Sequence, residues 1–377
     1  MIDPSIGLHD IRDIGVVGGR VAAVERSLPS EANRVIDAEG LLVTPGLVDL
    51  HAHVWTGVAS LAIDADSHSL ARGVTTVVDA GSAGANTFPG FRRYVIDQVQ
   101  TRTFALLNIS MMGQIDADIG ELTDIRWAKV DRAVEVARAH HDTIVGIKVR
   151  LSQKLVGANG VAALDLALQA AQEIGRPLMV HIGGTEQRLE DIVSRLRPGD
   201  ILTHSYTGWK PGIIADNGHV IPEALAARER GVLFDVGHGQ GSFAFAAAER
   251  ALEDGFLPDT ISSDLHRWNV DGPVFDLVTT LSKFLYMGLS IDDVIAMATV
   301  RPAAAIGQTA ECGSLRPGMS ADLSILRLER GPTTFVDAVG ERRNGDRRIV
   351  SVATLREGKP CQTGSDQAHV AVAAPAS

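Results

Sequence analysis

Two histidines two residues apart, His51 and His53, follow the apolar run PGLVDL. In a strand, residues i and i+2 project from the same face, so the pair aims two imidazoles at one point. Converging imidazoles suit a divalent transition metal. Taken alone, they suit a hydrogen-bonded pair of core histidines equally well. Three further apolar runs end in the same way: PLMV at His181, DILT at His204 and TISS at Asp264. A single His or Asp at the end of a run is usually a loop or capping residue. Five at matching positions read as a ligand set for metal.

Lys148 lies inside the β-branched run IVGIKVRLS. An unpaired ammonium in such a run is costly to desolvate. It could pair with a carboxylate, act as a neutral nucleophilic amine, or carry carbon dioxide as a carbamate. The carbamate turns a cation into a two-oxygen anion able to bridge two metals. Beside five candidate ligands, it is the favoured reading.

These residues need a scaffold that brings the ends of distant runs together. Eight apolar runs recur between Pro45 and His266: Pro45–His53, Thr75–Gly81, Thr103–Ser110, Ile144–Ser152, Pro177–Gly183, Asp200–Tyr206, Val232–Gly239 and Thr260–His266. Between them, DIRWAKVDRAVEVARAHH, GVAALDLALQAAQEIG, EQRLEDIVSRLR and ANTFPGFRRYVIDQVQ space apolar residues at helical intervals. Continuous apolar strands alternating with helices imply a parallel sheet buried on both faces. Eight such units predict an α/β fold of the (β/α)8 TIM-barrel type, whose active sites sit at the C-terminal ends of the strands.

The two ends of the chain read differently. IRDIGVVGGRVAAV signals a hairpin about Gly18-Gly19, and RVIDAEGLLVTPG repeats the theme about Gly40. GSLRPGMSADLSILRL and RRIVSVATLREGKP read as strands with Gly turns. Residues 1–44 and 309–363 are therefore expected to form a small β-sandwich, residues 45–308 the barrel, and residues 364–377 a flexible tail.

Composition narrows the function. The 377 residues carry a net charge of −11, which argues against a nucleic-acid or anionic-membrane binder. Two cysteines, Cys312 and Cys361, build neither a disulfide framework nor a CxxC site, as expected for a cytoplasmic protein. The N-terminus has no signal-peptide pattern, and no run approaches the roughly 20 apolar residues of a membrane span. There is no P-loop motif, GHGQG is not GxGxxG, and AGSAG is not a GxSxG elbow.

The ligand set resembles that of the amidohydrolase superfamily in its binuclear-metal branch. TPGLVDLHAH, GIKVRLS, DVGHGQGSF and ISSDLH are similar to its dihydroorotase-like deacetylase group. The resemblance implies one metal on His51, His53 and Asp264, and a second on His181 and His204. Carboxylated Lys148 and a hydroxide would bridge them. Zinc is the expected ion, with manganese, iron or nickel also suited. Asp264 would shuttle the proton during hydrolysis. The implied reaction cleaves an ester or amide of a small acylated, carboxylate-bearing compound. A cyclic amidase of dihydroorotase or hydantoinase type is the alternative. An inactive barrel serving as an assembly partner is the reading from a different class. Related enzymes are often homo-oligomers. The group usually has a further strand of the form LLIxGGxV near the start, so a truncated start or a smaller sandwich is expected here.

Other residues are candidates for the site. Tyr206 could donate to an oxyanion, and His238, at the end of the seventh run, could orient a ligand or bind substrate. Lys210, Arg267 and Trp268 could hold a substrate anion against an aromatic wall. His181 is followed by IGGTE rather than by the HxxE of mononuclear deaminases.

Overall fold

The computed structural model describes residues 1–29 and 31–361 and the short strand Val372–Ala373. Apart from that strand, the expected tail at 364–377 lies outside the described residues. Seven parallel strands pair in chain order to form the central sheet: Leu47–Ala52, Val74–Gly84, Arg102–Asn108, Ile144–Arg150, Leu178–His181, Ile201–Thr203 and Leu233–Phe234. They correspond to the first seven apolar runs. Nearly every residue in them is buried, as a sheet covered on both faces requires.

The eighth run closes the barrel without forming a regular strand. Asp235 pairs with Thr260, and Ala52 pairs with Leu265, each through a single parallel bridge. The Asp264 amide donates to the His51 carbonyl at 2.7 Å, and the His53 amide donates to the Leu265 carbonyl at 3.1 Å. This irregular seam joins the first and last ligand-bearing segments directly.

Helices cover the outside of the sheet. Val130–Ala139 buries Val130, Ala133, Val134 and Ala137, the i, i+3, i+4, i+7 face expected from its sequence. Gly160–Ile174 ends at Gly175 in the left-handed conformation, a helix C-terminus that glycine accommodates without a Cβ penalty. The segment after Thr87 is less regular: one turn, Phe88–Phe91, runs into a widened π turn, Arg92–Ile96.

Both chain ends contribute to a second β-rich layer. Asp13–Val17 and Arg20–Glu25 form the expected hairpin. The second expected hairpin does not form. Gly40 does take a positive φ of 73°, but the flanking strands pair elsewhere. Val35–Ile36 joins Val372–Ala373, and Leu42–Pro45 joins Leu323–Leu326. A long antiparallel hairpin, Leu323–Val336 with Arg342–Arg356, dominates this layer, and Lys359–Pro360 adds an edge. Val21, Leu315, Leu323, Ile325, Val352 and Leu355 share a core separate from that of the barrel. The far half of the hairpin crosses to the barrel: Leu326, Phe335 and Ile349 belong to the main core. Among the described residues, no helix is long and apolar enough to cross a membrane.

Candidate metal centre

The barrel brings all six sequence-predicted ligands to one end of the sheet. One nitrogen each of His51 and His204 and one oxygen of Asp264 lie within 4.8 Å of one another. Asp264 Oδ1 is 3.3 Å from His51 Nε2 and 3.2 Å from His53 Nε2. The ring centroids of His181 and His204 are 4.3 Å apart, and those of His51 and His204 are 5.1 Å apart. Lys148 Nζ sits 3.5 Å from His51 Nε2 and 3.1 Å from Met179 Sδ. No carboxylate lies within ion-pairing distance of it among the described residues, so the carboxylate-pairing reading of Lys148 does not hold.

The surrounding hydrogen bonds fix which ring nitrogen is free. Thr203 Oγ1 donates to Asp235 Oδ2 at 2.7 Å, so it accepts from His51 Nδ1 at 3.0 Å, leaving the Nε2 lone pair directed at Asp264. Ser152 Oγ donates to the Gly183 carbonyl at 2.6 Å and accepts from His181 Nε2 at 3.0 Å, leaving Nδ1 free. His204 Nδ1 donates to the Gly237 carbonyl at 2.6 Å, and its buried Nε2 has no partner. His53 Nδ1 contacts Ser82 Oγ at 3.0 Å. The His51 Nε2 lone pair therefore faces the Asp264 carboxylate with no proton between them, and the unpartnered His204 Nε2 lies beside it. A buried acceptor left in that state is costly, and a cation resolves it. Ligand–metal bonds of about 2.0–2.2 Å match the spacing of the donors.

Buried carboxylates stand behind these imidazoles. Asp235 accepts from Thr203, Thr260 and Ser262. Asp79 accepts from the amides of Val54 and Ser82, and Asp49 accepts from the amide and hydroxyl of Ser263. Such outer partners orient ligands and tune their basicity. The backbone is tight as well. His204 and Asp264 adopt positive φ values of 66° and 49°, a conformation that costs a residue with a Cβ about 1–2 kcal/mol and that clusters at functional sites. Two glycines make this packing feasible. A Cβ on Gly237 would lie 2.3 Å from Thr203 Oγ1 and 2.9 Å from His204 Nδ1, and one on Gly239 would lie 2.5 Å from Asp264 Oδ2.

Desolvation dominates the electrostatics. It pushes His53 down to about 3 and His204 down to about 4, and takes His51 and His181 well below their ordinary value. The nearby charges of Lys148 and Arg150 act in the same direction. The imidazoles are therefore neutral at pH 7, the form that ligates metal. Burial also lowers Lys148 to about 7, so much of it is a free amine near neutrality.

A cavity of about 210 Å³ opens over this centre, lined by His53, His181 and Asp264 together with Arg150, His266 and Trp268. Of the second-tier candidates, Trp268 is on its wall. The others are placed elsewhere. Tyr206 is fully buried, packed on Phe284, and donates its hydroxyl to the Phe256 carbonyl. It satisfies its polar group inside the core and does not reach the cavity. His238 is also fully buried, stacked on Phe243, with Nε2 2.6 Å from Lys283 Nζ. Lys210 pairs with Asp216 at the surface, and the exposed Arg267 donates from Nη1 to the Ser60 carbonyl at 3.4 Å. The sequence reading missed Arg150 and His266. Arg150 carried a usable signal: it lies two residues beyond Lys148 in the same strand, and so on the same face.

A parallel barrel holding four imidazoles, a carboxylate and a buried amine at the C-terminal ends of its strands is the architecture of a metal-assisted hydrolase. Residues 42–352 match the amidohydrolase family model, and the chain belongs to that family. It is 37% identical to a deacetylase of Brucella anthropi over 86% of this chain and 81% of the relative. The crystal structure of an adenine deaminase superposes with a TM-score of 0.88 at 34% identity, covering 93% of this chain and 95% of that one. The crystal structure of a dihydroorotase gives 0.86 at 33% identity, covering 93% and 92%.

Proposed function

We propose that this hydrolase removes an acyl group from a small ester or amide, using two divalent ions, with zinc as the default. His51, His53 and Asp264 would hold one ion and His181 and His204 the other, with Lys148 bridging them as a carbamate. When bound, such ions lower the pKa of a shared water towards neutrality and polarise the scissile carbonyl. The observation that carries the reading is the convergence of His51, His204 and Asp264 about an unpartnered His204 Nε2. A Lys148 amine that burial lowers to about 7, with no carboxylate partner among the described residues, supports carbamate formation, because only the free amine adds carbon dioxide. Asp264 accepts the proton of the attacking water and delivers it to the leaving group.

The cavity, at about 210 Å³, is smaller than the roughly 300–1,000 Å³ of drug-sized sites, which favours a compact substrate. Similarity to a deacetylase supports acyl transfer to water. Likeness to a dihydroorotase favours cyclic amide opening as the second reading. The two free thiols, Cys312 and Cys361, are in keeping with a cytoplasmic location. Division of the chain into a barrel at 45–308 and a terminal domain at 1–44 and 309–363 belongs to the same proposal.

Two measurements test it. Elemental analysis of protein purified without chelator is expected to give close to two divalent ions per chain; less than one overturns the binuclear site. A panel of acylated hydroxy acids, N-acyl amino acids and cyclic ureides should yield turnover in one of the first two classes. Turnover of ureides alone moves the assignment to the cyclic amidase. An inert panel on metal-loaded protein rejects both.

A further inference from the structure

We infer that Arg150 is the residue that selects substrate, by binding a carboxylate placed a few bonds from the scissile acyl group. This rests on the hydrolase reading above but stands on separate observations. Arg150 is the only Lys or Arg among the residues lining the cavity. Its side chain is 13% exposed. Its Nε donates to Glu121 Oε1 at 2.7 Å, and Asn108 Nδ2 holds the other Glu121 oxygen at 2.8 Å. Glu121 is thus fully engaged and clamps one edge of the guanidinium. The two Nη groups have no acceptor among the described residues. A planar fork with free N–H donors, already oriented, matches a carboxylate bidentately.

Position narrows the ligand further. Arg150 pairs in register with His181 on the neighbouring strand, and it lies two residues, about 6–7 Å at roughly 3.3 Å per residue, beyond Lys148. The anion site is therefore one side-chain layer above the metal centre, at the mouth. Trp268 and Leu61 on the cavity wall offer apolar contact for the group between the two ends. The class implied is a short acylated carboxylate, such as an O-acyl 2-hydroxy acid, rather than a neutral ester or an extended chain.

The test compares matched probes that differ in charge. The metal-loaded parent, Arg150→Lys, Arg150→Gln and the double variant E121Q/R150Q are assayed with O-acetyl-lactate and O-acetyl-lactamide. Equilibrium binding of phenylacetate and 2-phenylethanol is measured on the same proteins by calorimetry. The double variant keeps the experiment sound if Arg150→Gln alone leaves Glu121 buried and unpaired. The parent is expected to prefer each carboxylate. Loss of the guanidinium should cut that preference by about 10- to 100-fold, the range for hydrogen bonds to a charged group, with Arg150→Lys intermediate. Unchanged preference in R150Q and E121Q/R150Q overturns the inference while leaving the hydrolase reading intact. If neither the ester here nor any member of the panel above is cleaved, the hydrolase reading fails, and calorimetry alone decides: Arg150-dependent phenylacetate binding upholds the inference, and its absence overturns it.

Discussion

Replacing Gly239 with alanine tests whether a backbone close approach sets the position of Asp264. Gly239 has a φ of +56°, and an added Cβ would lie 2.5 Å from Asp264 Oδ2, whereas ordinary contact begins at 3.4 Å. The carboxylate or the loop must give way by the difference, 3.4 − 2.5, or about 0.9 Å. A misplacement of roughly 1 Å costs about 10²-fold in rate, and alanine at a left-handed φ costs about 1–2 kcal/mol of stability. The variant is expected to fold, to lose that amount in a denaturant titration, and to hydrolyse the best panel substrate about 100-fold more slowly. Gly255→Ala is the control. Its φ is +73°, but nothing lies within 4 Å of the added Cβ, so it should show a similar stability loss at an unchanged rate. If both variants keep the parent rate, Gly239 does not position Asp264 and the reasoning fails.

Further expectations concern the groups around the proposed metal site. Lys148→Ala should abolish hydrolysis and reduce bound metal, with partial recovery on adding short carboxylic acids; full unrescued activity rejects the carbamate. Thr203→Val removes the acceptor for His51 Nδ1 and a donor to Asp235, so metal affinity measured by chelator competition should fall about 10–100-fold; parent affinity would show that this relay is dispensable. Burial brings Lys283 from its ordinary 10.5 down to about 7. Between those values the unfolded chain binds a proton that the folded chain has released, so stability from this group rises with pH across pH 7–10.5 and is at its lowest below pH 7. Urea midpoints of Lys283→Met should accordingly show a flatter rise over that window than the parent, and parallel curves would contradict the assignment.

The convergence of these side chains was legible because the candidate ligands obey simple rules. HxH places two imidazoles on one strand face, and the remaining candidate ligands close or interrupt apolar runs. Those runs became barrel strands because parallel strands buried on both faces must be continuously apolar. Less legible was anything set by pairing across distance. Leu42–Pro45 and Val35–Ile36 looked like a local hairpin about Gly40, but their partners lie some three hundred residues later in the chain, and no local pattern encodes that choice. Tyr206 follows His204 by two, yet strict alternation ends at His204, whose positive φ turns the chain. Alternation continued to hold along the fourth strand, where Lys148 and Arg150 share a face, and there the period would have found the cavity arginine.

The terminal layer is more than an appendage to the barrel. At the tip of its long hairpin, Asp337 Oδ2 accepts from the Phe245 amide at 2.9 Å, and the Ala338 amide donates to the Phe243 carbonyl at 2.9 Å. Lys283 Nζ bonds the Val336 carbonyl at 2.7 Å and His238 Nε2 at 2.6 Å. These contacts grip both sides of the segment Gly237–Phe243, which carries Gly237 against His204, Gly239 against Asp264, and Gln240 and Ser242 into the cavity wall. A glycine-rich loop of this kind loses much conformational freedom on ordering, so it needs such external ties to hold its backbone against the ligands. His238 is thus buried behind this segment, tied to Lys283 and stacked on Phe243. The hairpin tip is thus hydrogen-bonded to the segment that packs against the candidate ligands, so the terminal strands help to hold the backbone of the site.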